Sequence, residues 1–169
     1  MLFIDGDSCP VIEKAESTAR EFGIDMAVFC DTEHRIQLDY GTVHYVGSGR
    51  DAADYKLVNM CKKGDVVVTQ DYGLAAMAMA KGARCLHYNG MIYNDNNIYR
   101  LLTNRYFRTR GKGKKMLKGT PGGYKKHYDF VYALTKSIGL ARKDINTGKD
   151  DDDKNAEPGS LLYNHRVEE

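Results

Sequence analysis

Two apolar runs, Leu2-Phe3-Ile4 and Val66-Val67-Val68, contain no polar residue and stop close to an aspartate, Asp5 and Asp71 respectively. A strand with one wet face alternates apolar and polar residues. An unbroken apolar run belongs instead to a strand covered on both faces, the situation inside a parallel sheet flanked by helices. Both runs are too short to be helices. Met26 to Cys30, Thr42 to Val46 and Arg84 to Tyr88 read as further strands, and Val66 to Thr69 as the complete form of the fourth.

Helical spacing fills the intervals. Val11, Ala15, Ala19 and Phe22 recur at steps of four and three after Pro10, a residue suited to the first position of a helix, and Gly23 closes the segment. Asp51 to Lys62, Leu74 to Ala80, and Asn96 toward Tyr106 read as three more helices. A last one carries Tyr124, Tyr128, Val131, Leu134 and Ile138. Asn89-Gly90 is a turn that leads into Met91-Ile92-Tyr93. Strands alternating with helices predict a three-layer α/β/α fold with a mainly parallel sheet over residues 1–140. From Ala141 the apolar pattern fades, so 141–169 is expected to be an acidic, disordered tail.

The chain of 169 residues is large enough to bury a core without staples. Its cysteines, Cys9, Cys30, Cys61 and Cys85, stand singly with no C-x-x-C pair, which suits a reducing compartment. The N-terminus lacks the basic start and long apolar run of a signal peptide, and no apolar run is long enough to cross a membrane. These features predict a cytoplasmic protein. The net charge of +2 conceals a segregation: residues 105–128 hold nine basic and no acidic side chains, beside an acidic body.

Right-handed crossovers place every strand C-terminus of a parallel sheet on one edge, and ligands bind beyond that edge. Asp5 and Asp7 follow the first strand, and Asp71 follows the fourth. Asp54 lies one helical turn before Leu57 and Val58, at the N-terminal end of a packing stripe close to where strands finish. Clustered carboxylates repel unless a cation compensates. Hard oxygen donors suit Mg²⁺ or Mn²⁺, which activate water and offset charge on a phosphoryl group. Each acid also has a structural reading. Asp51 with Asp54 matches a helix N-cap, Asp71 can cap the helix beginning near Tyr72, and Asp7 can solvate the turn before Pro10. Asp5 has no such reading, since an apolar strand has no packing reason to end in Asp-Gly-Asp.

Three blocks, Asp5-Gly6-Asp7-Ser8-Cys9-Pro10, Gly49-Arg50-Asp51-Ala52-Ala53-Asp54 and Gly64-Asp65-Val66-Val67-Val68-Thr69-Gln70-Asp71-Tyr72-Gly73-Leu74-Ala75, resemble the YaiI/YqxD family of uncharacterised bacterial proteins, related to the PIN-like nuclease superfamily. The resemblance covers residues 1–140 and implies a PIN-like α/β/α fold with an acidic pocket. By analogy with PIN nucleases, Asp5, Asp54 and Asp71 are the catalytic metal ligands, with Asp7 and Asp51 auxiliary. Gly6 stands where relatives often have Ala.

The basic block comprises Arg105, Arg108, Arg110, Lys112, Lys114, Lys115, Lys118, Lys125 and Lys126, interleaved with Tyr106, Phe107 and Tyr124. Cations neutralise phosphates and aromatic rings stack on unpaired bases, so the segment is expected to bind RNA or single strands. A solvated loop is the plain alternative. Cys9 at a helix start is a place where a thiol pKa can fall, although no base is placed beside it. Three functions follow. They are a Mg²⁺- or Mn²⁺-dependent nuclease, a non-catalytic RNA-binding or regulatory module, and a haloacid-dehalogenase-like phosphatase using Asp5 and Asp7. The phosphatase reading lacks its late acidic pair. The oligomeric state is not encoded in any of these features.

Overall fold

The computed structural model of the protein describes residues 1–7, 9–47, 49, 51–109 and 129–154; the side chains of 108, 109 and 147–154 lie outside that description. Five strands, β1 (Leu2–Asp5), β2 (Met26–Asp31), β3 (Thr42–Val46), β4 (Val66–Val68) and β5 (Arg84–Leu86), form one sheet in the order β3-β2-β1-β4-β5. Every pairing between them is parallel. The helices are α1 (Ile12–Glu21), α2 (Ala52–Met60), α3 (Tyr72–Ala80), α4 (Asp95–Thr109) and α5 (Phe130–Lys154).

Side chains alternate across the central strands with a period of two. Phe3, Phe29 and Val67 face a layer made by α2, α3 and α4, against Leu57, Leu74 and Leu101. Leu2, Ile4, Val28 and Val68 face the other layer, where Ala15 and Ala19 of α1 meet Leu134 and Ile138 of α5. Both faces of β1 and β4 are therefore sealed, which is why neither run tolerates a polar residue. Each such side chain contributes about 1.5–3 kcal/mol by leaving water.

The strand order fixes the site. From β1 the chain winds outward through β2 to β3, then returns through α2 to β4 and continues outward to β5 on the other side. The switch point lies between β1 and β4, where Leu2, Phe3 and Ile4 pair with Val66, Val67 and Val68. A crevice opens beyond the strand C-termini at such a point because the two flanking connections diverge.

Two expectations shift. Helix α1 begins at Ile12, not Pro10, with Val11 at its N-cap and no side-chain cap bond. Beyond the turn at Asn89-Gly90, 91–93 runs back along β5. Only Leu86 and Ile92 form an antiparallel bridge, and the Tyr93 hydroxyl turns inward to the Thr69 carbonyl at 3.2 Å. Finally, α5 does not stop near Leu140. Ala141 is buried, Asp144 accepts from Arg84 at 2.7 and 3.0 Å, and Arg142 donates to the Phe22 carbonyl at 2.7 Å. Beyond Ala141 the packing is carried by one ion pair and a bond to a backbone carbonyl, so little apolar stripe is left to read. Tyr124, Tyr128 and residues 155–169 lie outside the described residues. Among the described residues no helix is long and apolar enough to cross a membrane.

Candidate metal centre at the sheet edge

Asp5 ends β1 at the switch point. Buried Thr69, just past β4, donates its hydroxyl to Asp5 Oδ2 at 2.7 Å, and the same Thr69 oxygen accepts the Asp71 backbone N–H at 3.0 Å. One threonine thus ties the ends of β1 and β4 together. Burial pushes the Asp5 carboxyl above its ordinary range. The Thr69 hydrogen bond opposes this, and the charges of Asp7 and Asp71 add to it.

Asp54 sits in the first turn of α2, placed by Ala53, Leu57 and Val58 packing that helix on the sheet. Burial, followed by the charges of Asp5, Asp71, Asp51 and Asp7, pushes it up to about 6. Asp71 is the N-cap of α3, its Oδ1 accepting from the N–H groups of Gly73 at 2.6 Å and Leu74 at 3.2 Å. Arg105 of α4 reaches both of its oxygens at 3.3 Å. The capping reading of Asp71 is therefore met in full. Asp51 takes the N-cap position of α2 but makes no capping hydrogen bond, and its backbone is left-handed with φ 60°.

Asp5, Asp54 and Asp71 therefore stand on one edge, where the charge of Asp71 reaches Asp5 and the charges of Asp5 and Asp71 reach Asp54. Their oxygens do not crowd together, however. Among the described residues, the group whose ligand atoms all lie within 4.8 Å of one another is Asp7, Asp31 and His34. Asp31 ends β2, adjacent to β1, and its N–H donates to Asp7 Oδ1 at 2.8 Å. His34 Nδ1 lies 2.7 Å from Asp31 Oδ1 and 3.5 Å from Asp7 Oδ1. The hydrogen bond between them raises the His34 pKa and lowers that of Asp31. A cavity of about 310 Å³ is lined by Asp7, Asp31, Glu33, Asp51 and Asp54. A larger one of about 580 Å³, between α4 and α5, holds none of these groups and is lined by others such as Asn97, Arg100, Asp129 and Lys136.

The profile of an uncharacterised bacterial family, YaiI/YqxD, matches residues 3–140. The chain belongs to the YaiI/YqxD family. A UPF0178 protein of Clostridium tetani is 37% identical over 147 residues, covering 84% of this chain and 99% of that relative. One from Clostridium acetobutylicum is 42% identical over 121 residues, 70% of this chain and 82% of the relative. One from Ruminiclostridium cellulolyticum is 47% identical over 105 residues, 62% and 69% respectively. No solved structure matches the chain significantly.

In this YaiI/YqxD protein Gly6 stands where the structure leaves little room for a side chain. A Cβ there would stand 2.6 Å from Val28 Cγ1 and 3.0 Å from the Phe29 carbonyl oxygen, while the Gly6 N–H donates to that carbonyl at 2.7 Å. The close approach of β1's end to β2 is what sets Asp7 beside Asp31. Cys9 is not an activated thiol, since burial pushes it up to about 11. His44 stacks on Phe29 at 4.7 Å and burial lowers His87, so both have structural surroundings. Asp31 directly follows the expected strand Met26 to Cys30, so it carries the same edge signal as Asp5, though it is not among the expected site residues. Nothing in the sequence of the loop, by contrast, reveals that His34 turns back to meet it. Within the basic block, Arg105 is placed against Asp71. The Arg108 side chain and all of Arg110, Lys112, Lys114, Lys115, Lys118, Lys125 and Lys126 lie outside the described residues.

The donor set at Asp5, Asp54 and Asp71 is all carboxylate oxygen, and its members stand too far apart to wrap an ion closely. Such a set fits a small hard cation held through one or two direct oxygens with water completing the shell. Mg²⁺ and Mn²⁺ bind in that manner.

Proposed function

We propose that the protein is a divalent-metal-dependent nuclease of the cytoplasm, PIN-like in mechanism, hydrolysing phosphodiesters of RNA or other single strands. The observation that supports this reading is the placing of carboxylates from three separate elements, β1, α2 and the α3 cap, at one sheet edge, where burial and then the charges of Asp5 and Asp71 raise Asp54. Structural acids have no reason to be assembled against their own repulsion.

In this reading Asp5, Asp54 and Asp71 hold Mg²⁺ or Mn²⁺, with Asp7 and Asp51 lining the approach. The bound cation supplies a water of lowered pKa and stabilises charge on the phosphoryl oxygens. Thr69 fixes the orientation of Asp5 through its hydroxyl. The N–H groups of Gly73 and Leu74 fix Asp71. Asp54 is ionised above about pH 6 and then presents its full charge to the site. Arg105, beside Asp71, offers a guanidinium to the scissile phosphate.

One observation favours a second reading, a non-catalytic RNA-binding module. The Asp71 carboxylate is already engaged by a helix N-terminus and by Arg105. Purified protein incubated with RNA, single-stranded DNA and duplex DNA, with Mn²⁺, Mg²⁺ or EDTA, separates the two. The nuclease reading expects metal-dependent cleavage of single strands that Asp5→Asn abolishes. Binding without cleavage under every condition supports the module instead.

A further inference from the structure

β5 closes the sheet on one side, and past it α4 from one helix layer and α5 from the other leave the cavity of about 580 Å³. That volume suits a small molecule. Its walls are held by their own hydrogen bonds. Asn94 and Asn97 bond reciprocally, each side-chain oxygen accepting the other's backbone N–H at 2.9 and 3.0 Å. Asn97 also donates to the Ile92 carbonyl at 2.8 Å. On the α5 side, Asp129 accepts the Tyr132 N–H at 3.2 Å and so caps that helix. A cavity with walls fixed in advance binds at little cost in ordering.

The chemistry of the lining points to what it takes. Met91, Ile92 and Ala133 supply an apolar base. Arg100 of α4 and Lys136 of α5 bring two cations to the same space, against the acid Asp129, whose Oδ1 already serves the helix cap. Arg100 has a partner within the chain, and a guanidinium with five donors has others to offer an anion. Lys136 has no ion-pair partner among the described residues. Tyr132, 67% exposed, adds an aromatic ring to the lining. The cavity at the sheet edge has the opposite character, with Asp7, Asp31, Glu33, Asp51 and Asp54 in its walls, and repels anions.

We propose that the cavity between α4 and α5 binds a nucleotide-sized phosphate monoester, its phosphate held by Arg100 and Lys136 and its flat ring lying on Tyr132 and the apolar base. Phosphate oxygens accept from a planar guanidinium fork and from an ammonium at once. An aromatic side chain beside aliphatic ones is a surface for a flat ring. The site is separate from the acidic edge and does not rest on the nuclease reading.

The test is an NMR chemical-shift titration of the isotope-labelled full chain, in EDTA and at fixed ionic strength. The probes are adenosine monophosphate, uridine monophosphate, the two nucleosides and inorganic phosphate. At least one monophosphate should bind with Kd below about 1 mM, with shifts centred on Met91, Ile92 and Ala133. Its nucleoside and inorganic phosphate should each bind at least about tenfold more weakly, since each makes only part of the contacts. Lys136→Gln and Tyr132→Ala change exposed side chains and should each weaken the monophosphate by about fivefold or more, with the melting temperature kept. Tyr132→Ala should leave inorganic phosphate as it was, whereas Lys136→Gln should weaken it. Lys14→Gln, an exposed lysine of α1, should bind as the parent does. No binding of either monophosphate, or shifts centred away from the cavity, would overturn the site. So would a nucleoside bound as tightly as its monophosphate, affinity indifferent to Lys136→Gln and Tyr132→Ala, or an equal loss in Lys14→Gln.

Discussion

Asp5 and Asp54 hold their protons more tightly than free carboxylates, whereas Asp31 gives its proton up more readily, although all three stand at the C-terminal edge of one sheet. Burial makes the first difference. Around the switch point between β1 and β4, carboxylates are partly removed from water and face one another across the crevice. At the ends of β1 and β2, Asp7 and Asp31 are more exposed and His34 stands between them. The exposed trio balances its own charge through hydrogen bonds, whereas Asp5 and Asp54 keep raised carboxyls even though Arg105 pairs with their neighbour Asp71. Proximity of acids alone is therefore a poor guide to a metal centre. The tighter cluster is the more self-sufficient one, and the looser one holds the raised carboxyls.

The largest effect that would break this comparison is catalytic. Asp5→Asn should lower metal-dependent cleavage by at least about a hundredfold, while Asp31→Asn should leave most of it, as measured on a labelled single strand. In metal-free buffer Asp5→Asn should melt at the same temperature or higher, because it relieves repulsion. A residue serving only to hold the fold would lower it.

Next in size is the pH dependence of stability. A carboxyl raised from 3.8 to about 6 binds its proton more tightly in the folded state, so stability should fall as pH rises from about 4 to about 6. Asp54→Asn should remove that fall and gain on the order of 1 kcal/mol at pH 7, the shift being discounted for the solvent that reaches this half-buried group. Urea melts of parent and variant at pH 4.5 and 7 measure it. Mn²⁺ affinity should weaken below about pH 6, since the cation competes with the Asp54 proton.

The exposed trio should respond differently. The His34 pair contributes fully below its ordinary 6.5, and its contribution is lost as pH rises through the raised value. Asp31→Asn should bring the His34 titration back toward 6.5, followed by NMR of the imidazole protons, with no resolvable change in melting temperature. The smallest effect is expected at Asp51. Replacing it by Gly removes a left-handed non-glycine residue and one of the charges that raise Asp54. Thermal melts should show a gain of at most about 1 kcal/mol, and the Asp54 titration should move down.

Sequence alone determined the layer architecture, because a run such as Val66-Val67-Val68 is tolerated only where both faces are covered, and that condition is local. It likewise placed Asp5 and Asp71 at the C-terminal edge of the sheet, since a residue that ends a parallel strand can stand nowhere else. It overread the fade of apolar residues after Leu140, where Arg84–Asp144 replaces an apolar stripe with an ion pair formed 60 residues apart. Only the tertiary structure decided which strand ends are neighbours. Asp7 meets Asp31 because β1 lies beside β2, and Asp71 meets Arg105 because α4 packs on α3. The difference has one physical cause. Burial and strand direction are written in the spacing of adjacent residues. The balance of charge at a site depends instead on distances across the fold, and no spacing along the chain encodes those.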